Sequence, residues 1–168
     1  DEEDGMKWYI FHLLDEATRF STGDISERKT AEELLEMFYF CWIRVFGPMH
    51  TLVTDQEGAL TGHEFTSFFA RNAISLKFKP VGTKAFTVER HNELVRQSMN
   101  RLRESCIANS LAVPLRHRLC EVFFYKNALL QYGGYSPYNC VTGQQPNLLP
   151  DIENTNLEQD DDANTGDN

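Results

Sequence analysis

"LVTDQEGAL", residues 52–60, sets a charged Asp55 directly after a short apolar run. With His50 and Thr51 in front of it, the run reads as a short buried strand ending at Asp55. A carboxylate there needs a reason, and open α/β sheets supply one, because they build their sites at or just beyond the carboxyl ends of strands. The fold therefore turns on what surrounds this strand.

Upstream, "KWYIFHLL" (7–14) is mostly apolar and aromatic and reads as a well-buried strand, and "DEEDGMK" before it carries the Asp-Gly of a tight turn. A partner strand belongs before that turn, and the sequence hardly contains one. "TRFSTGDI" (18–25) reads as the return strand. Thr30 and Glu33 form a capping box ahead of Leu34, Leu35, Phe38, Trp42 and Val45, a helix stopped by Gly47-Pro48. Downstream, "EFTSFFARN" (64–72) is a helical segment and "ISLKFK" (74–79) an alternating strand cut off by Pro80. Thr87 heads a long helix to about Ala108, with Val88, Val95, Met99, Leu102 and Cys106 on one face, and a further helix runs from about Leu115 to Leu130. Strands, then alternation, then helices predict an α/β layered domain with a mixed central sheet flanked by helices.

At 168 residues the chain has room for one sizeable core. No stretch approaches the roughly 20 apolar residues of a membrane span, and the start is an acidic run rather than a signal peptide. The chain is expected to be soluble and part of something longer. Its four cysteines, Cys41, Cys106, Cys120 and Cys140, contain no Cys-x-x-Cys pair, are read as lying mostly in apolar surroundings, and point to a reducing, intracellular compartment, nuclear or cytoplasmic. The acidic tail 151–168 has almost no apolar residues and no periodicity and is read as a disordered linker, which leaves residues 1–150 as the domain.

The net charge of -9 is misleading, because the acids cluster at the two ends. Residues 5–150 hold 16 basic against 14 acidic side chains, and Lys77 to Lys126 holds 10 against 4. That stretch is fit to meet a polyanion, or to form an ordinary solvated helix face. Within it, Glu89, Glu93, Arg96, Asn100 and Arg103 recur at helical spacing as a polar stripe opposite the apolar one. Glu89 falls in the helix's first turn, where the dipole favours its charge, and Arg90, His91, Asn92 and Arg96 cluster nearby as candidate phosphate ligands. The five histidines, His12, His50, His63, His91 and His117, show no zinc-ligand spacing and are read mainly as structural or surface residues, with His91 alone placed to touch a polyanion. Phe11, Phe38, Phe40, Trp42 and Phe46 read as core or subunit interface.

"TDQEGAL" (54–60), "VERHN" (88–92) and "GYSPYNCVTGQQP" (134–146) together resemble the integrase catalytic domain of retroviruses and LTR retrotransposons, most nearly the retrotransposon polyprotein integrases. The similarity takes in "LLDEATRF" (13–20), "FGPMHTLVTD" (46–55) and the end of the domain, "KNALLQYGGYSPYNCVTGQQPNLLP" (126–150), all in the family's order. It implies a ribonuclease H-like fold and a triad of two Asp and one Glu, with Asp55 as the second Asp and Glu89 as the Glu. The chain departs from the family in having Asp55-Gln56-Glu57-Gly58 where many members have Asp-Asn-Gly, a gap of 33 residues to Glu89 that is slightly short, and Phe86 where Gly is common. Asp1 suits the spacing of the triad's first Asp in members with a short first hairpin. The preferred place for that residue is upstream of Asp1, with the first strand cut short. Asp15 matches a structural Asp of the second strand.

The implied chemistry is metal-dependent trimming of DNA 3' ends and transfer of the exposed 3'-hydroxyl to target DNA. Mg²⁺ or Mn²⁺, as two ions, would activate the attacking oxygen, neutralise the phosphate and stabilise the leaving oxygen, needing only hard carboxylate ligands. Three converging carboxylates repel one another until metal binds. Asp55 and Glu89 are the expected ligands, Lys84, Arg90, His91, Arg96 and Arg103 the expected DNA contacts, and a homodimer built partly by the last helices the expected assembly. Two other functions fit the same residues: an inactive or host-adopted integrase-like module that binds DNA or protein, and another ribonuclease H-like nuclease acting on RNA or hybrid duplexes.

Overall fold

The computed structural model describes residues 2–3, 6–54, 62–78 and 86–147. Asp55, Lys84, the Asp4-Gly5 turn and the acidic tail lie outside the described residues.

Strand β1 (Glu2–Glu3) pairs antiparallel with β2 (Met6–Lys7), which leads almost directly into β3 (Tyr9–Leu14). Strand β3 pairs antiparallel with β4 (Ser21–Ser26), with Tyr9 opposite Ser26 and Leu14 opposite Ser21. Asp15 closes the connection, its carboxylate accepting from the Thr18 amide at 2.9 Å and the Thr18 hydroxyl at 2.6 Å, which is the structural part expected of it. Helix α1 (Ala31–Phe38) opens with Thr30 accepting from the Glu33 amide at 3.3 Å and continues through a π-helical turn at Tyr39–Ile43 into α2 (Arg44–Phe46). Gly47 then leaves at φ 75°, a conformation that suits glycine. The π turn holds one residue more than an α turn and so rotates the rest of the helix by roughly 100°. Val45, expected on the buried face, is in consequence 61 % exposed, and it is Phe46 that meets Phe20 and Trp42.

Strand β5 (Thr51–Thr54) crosses over through α3 (His63–Arg71) to a parallel partner, β6 (Ser75–Phe78). The described residues end with α4 (Phe86–Ala108), α5 (Leu115–Leu129) and the short α6 (Pro137–Thr142), which Ser136 caps by accepting from the Asn139 amide. Both strand orientations of a mixed sheet are thus present. Among the described residues the β3–β4 and β5–β6 ladders share no pairing with each other.

Alternation along β3 sends its side chains into two cores. Phe11 and Leu13 join Phe38, Phe65, Phe68, Phe69 and Ile74 under α1 and α3, held by edge-on ring contacts such as Phe11–Phe38 at 5.0 Å. Trp8 and Ile10 join Ile25, Val95, Met99, Leu119, Val122 and Phe123 under α4 and α5. Gly23 on β4 must be glycine, because a Cβ there would lie 1.9 Å from the Phe11 carbonyl oxygen and 3.1 Å from the Phe123 ring. Its smallness lets α5 seat on the sheet. All four cysteines are free, but only Cys106 is buried, while Cys120 and Cys140 are exposed, against the expectation of mostly apolar surroundings. Burial, then Asp24, pushes the Cys41 thiol up to about 11, which leaves it a weak nucleophile. Among the described residues no helix is long and apolar enough to cross a membrane.

Candidate functional site

A cleft of about 450 Å³ opens between the β3–β4 and β5–β6 ladders. His12 on β3, Met37 on α1, Leu52 and Thr54 on β5, and Asn92 and Arg96 on α4 are among its lining residues. The packing of α4 explains why these elements converge. His91, Val95, Met99 and Cys106 of that helix are buried and Leu102 partly so, which turns Glu89, Arg90, Glu93, Arg96, Asn100 and Arg103 outward. The predicted polar stripe is therefore a real solvent face, and its first turns border the cleft that β5 enters with its carboxyl end.

Glu89 sits in the first turn of α4 and is exposed. Asp55 comes directly after Thr54, the last residue of β5, in the sequence but lies outside the described residues. Among the described residues there is no group of three or more His, Cys, Asp or Glu side chains able to hold a metal ion. Glu89 lies one turn before Asn92, the first α4 residue of the cleft lining, and its carboxylate is of a type that suits Mg²⁺ or Mn²⁺; a complete set of ligands would need residues beyond those described.

Of the expected DNA contacts, Arg90, Arg96 and Arg103 are exposed, and Lys84 lies outside the described residues. Arg96 donates to Glu93 at 2.7 Å one turn back, an exposed pair of little net stability. His91 requires a correction. It is 3 % exposed, stacks on the Tyr132 ring with centroids 6.0 Å apart, and belongs to the apolar face of α4, so it is not presented to a ligand. Burial, then the nearby Lys126, holds its pKa down at about 4.

Reading for chemistry along the chain also missed a polar zone beneath the cleft. His12 Nδ1 meets Asn92 Oδ1 at 2.6 Å, His12 Nε2 meets Ser21 Oγ at 3.0 Å, and Lys126 Nζ donates to the same hydroxyl at 2.5 Å. Asn127 adds two bonds to the Ser21 backbone, accepting from its amide at 2.8 Å and donating to its carbonyl at 2.7 Å. In the sequence the signal is that a histidine and a lysine stand where strand and helix periodicity call for apolar residues. Burial lowers the pKa of His12 to about 4 and that of Lys126 to about 8.

No family model and no curated protein matches the sequence. Solved structures do. The HTLV-2 integrase catalytic core domain in complex with magnesium, in its trimeric form, superposes with a TM-score of 0.71 at 18 % identity, over 83 % of this chain and 88 % of that one. Its dimeric form gives 0.65 at 18 % identity over 78 % and 92 %. A chain of the simian T-cell lymphotropic virus intasome in complex with the PP2A regulatory subunit B56 gamma gives 0.67 at 19 % identity, over 85 % of this chain and 55 % of that one. The α/β fold described above is that of the retroviral integrase catalytic core, the ribonuclease H-like fold that the sequence predicts.

Proposed function

We propose that this domain is a metal-dependent polynucleotidyl transferase of the integrase type, from a retrotransposon polyprotein, which trims DNA 3' ends and joins them to target DNA. The observation that carries this reading is the cleft: it brings Thr54, directly before Asp55 in the chain, to the helix turns just after Glu89. Asp55 and Glu89 are the carboxylates that would hold Mg²⁺ or Mn²⁺, with a first Asp at Asp1 or before it completing the triad. When bound, the ions supply an activated oxygen nucleophile and neutralise the phosphate. Glu89 contributes a hard donor whose charge the α4 dipole favours. Arg90, Arg96 and Arg103 extend along the solvent face of α4 and, with Lys84, would bind phosphates without choosing sequence. The same cleft serves hydrolysis and transfer, since both place an oxygen nucleophile in line with a phosphodiester.

Solved neighbours with trimeric and dimeric forms, and one in an intasome, support DNA and further copies of the chain as partners. The exposed apolar side chains Ile107, Leu111, Phe124, Tyr125 and Leu129 on and beside the last helices suit that assembly. The test is a titration of Mn²⁺ and Mg²⁺ into the chain extended upstream by about 30 residues, room for one strand and its lead-in, and into its Asp55→Asn and Glu89→Gln variants. Metal affinity lost in both variants is expected. Affinity indifferent to both would remove the site and leave a binding module as the better account.

A further inference from the structure

The polar zone beneath the cleft has a direction. Strand β3 turns Trp8, Ile10 and His12 toward α4 and α5, and β4 turns Ser21, Gly23 and Ile25 the same way. One end of this face is apolar, while the other holds His12, Ser21, Lys126 and Asn127. Asn92 Oδ1 can only accept, so His12 carries its hydrogen on Nδ1. A ring held neutral at pH 7 then leaves Nε2 to accept from the Ser21 hydroxyl, whose oxygen in turn accepts from the Lys126 ammonium. The bonds run in one direction, from α5 through β4 and β3 to α4.

Such an arrangement has a cost. Lys126 is a cation 7 % exposed whose hydrogen-bond partner is a hydroxyl, and an apolar side chain of similar length would pack there at less expense. The chain of bonds ends on Asn92, one helical turn beyond Glu89 and one turn before Arg96, both on the solvent face of α4. We infer that Lys126, Ser21 and His12 are positioning residues: they hold Asn92, and with it the first turns of α4, so that Arg96 keeps a fixed place in the cleft lining and Glu89 a fixed place one turn before Asn92. The inference rests on the proposed role of Glu89 only for its functional consequence.

The test uses the upstream-extended chain with Lys126→Met, which keeps the packed stem, His12→Phe, which keeps a ring against Phe123 (centroids 5.3 Å apart in the parent), the two combined, and His12→Asn, whose amide can still donate to Asn92. Three quantities are read: thermal midpoint, hydrogen exchange of the Glu89–Asn92 amides without metal or DNA, and metal-dependent DNA cleavage. Lys126→Met is expected to melt no lower than the parent yet exchange about five- to tenfold faster over those amides and lose about 10- to 100-fold in cleavage. The combined variant should be no worse than the worse single one, and His12→Asn should recover most of the protection lost in His12→Phe. Unchanged exchange in Lys126→Met, or effects of the two changes that simply multiply, would overturn the inference. If Glu89→Gln leaves cleavage intact, the DNA-processing reading fails instead, and the exchange measurements still decide the positioning claim. Should His12→Phe not fold, Lys126→Met and His12→Asn carry the same decision.

Discussion

Asn127→Ala removes both ends of the bond pair that fastens α5 to β4. The Asn127 side chain accepts from the Ser21 amide at 2.8 Å and donates to the Ser21 carbonyl at 2.7 Å, standing in for a neighbouring strand. Asn127 is 4 % exposed and Ser21 1 %, so water cannot readily replace either bond. Leaving a buried donor or acceptor without a partner costs about 1–3 kcal/mol each, so two orphaned groups cost about 2–6 kcal/mol, and the burial places the expected loss near 4 kcal/mol. For a domain of this size that lowers the thermal midpoint by about 8–16 °C. The assay is urea unfolding, where the midpoint should fall with the slope unchanged, compared with Asn100→Ala on the exposed face of α4, expected to stay within about 0.5 kcal/mol. A loss below about 1 kcal/mol for Asn127→Ala would show that α5 is not fastened through Ser21.

Because the folded pKa of His12 is depressed from 6.5 to about 4, the unfolded chain binds the extra proton first, and stability should fall as pH drops from 6.5 toward 4, by at most about 3 kcal/mol from this residue, in an unfolding series that His12→Phe makes less steep while His91, also held at about 4, keeps a slope of its own. Lys126, with a folded pKa of about 8 against 10.5, acts at the other end: stability should rise with pH from about 8 to 9, above which the Cys41 thiol, raised from 9.0 to about 11, works against it, and Lys126→Met should abolish the rise. Gly23→Ala forces a Cβ to within 1.9 Å of the Phe11 carbonyl oxygen unless β4 shifts, so a loss of about 3 kcal/mol or more is expected in the same unfolding assay. Under the proposed function, Arg90→Ala and Arg103→Ala should each weaken DNA binding evenly across sequences and reduce the slope of log affinity against log salt by about 1, measured by anisotropy.

Local signals carried most of the fold. The apolar run of β3, the Thr30–Glu33 box of α1 and the periodicity of α4 each reflect forces acting within a few residues, and each appears at nearly the expected place. Asp15 was legible for the same reason, since its partner Thr18 is three residues away. The features that escaped depend on phase or on distance. The π turn at Tyr39–Ile43 shifts the phase of the helix after it and puts Val45 outside. Ser136 and Pro137, a good cap and first residue, start α6 within a segment that glycines mark as turn. The charged neighbours of His91 suggest a ligand contact, although its place four residues before Val95 and eight before Met99 puts it on the buried face. The bond between Ser21 and Lys126 spans 105 positions, and no local pattern announces it. For the candidate site, sequence pattern pointed to Asp55, which lies outside the described residues, and to Glu89, and the structure adds a cleft lined by Thr54, Asn92 and Arg96.

If the carboxylate at the head of α4 serves DNA chemistry, Glu89→Gln must remove that chemistry. The measurement is Mg²⁺-dependent cleavage of branched DNA by the upstream-extended chain, alongside Glu93→Gln, a carboxylate one turn further on whose described partners are Arg96 and Gln97. Glu89→Gln is expected to lose at least about 100-fold, beyond the roughly 10- to 100-fold that loss of a ligand's outer-shell partner costs, while Glu93→Gln, which frees Arg96 for phosphate, loses nothing. Equal turnover in Glu89→Gln and the parent would contradict that role for Glu89.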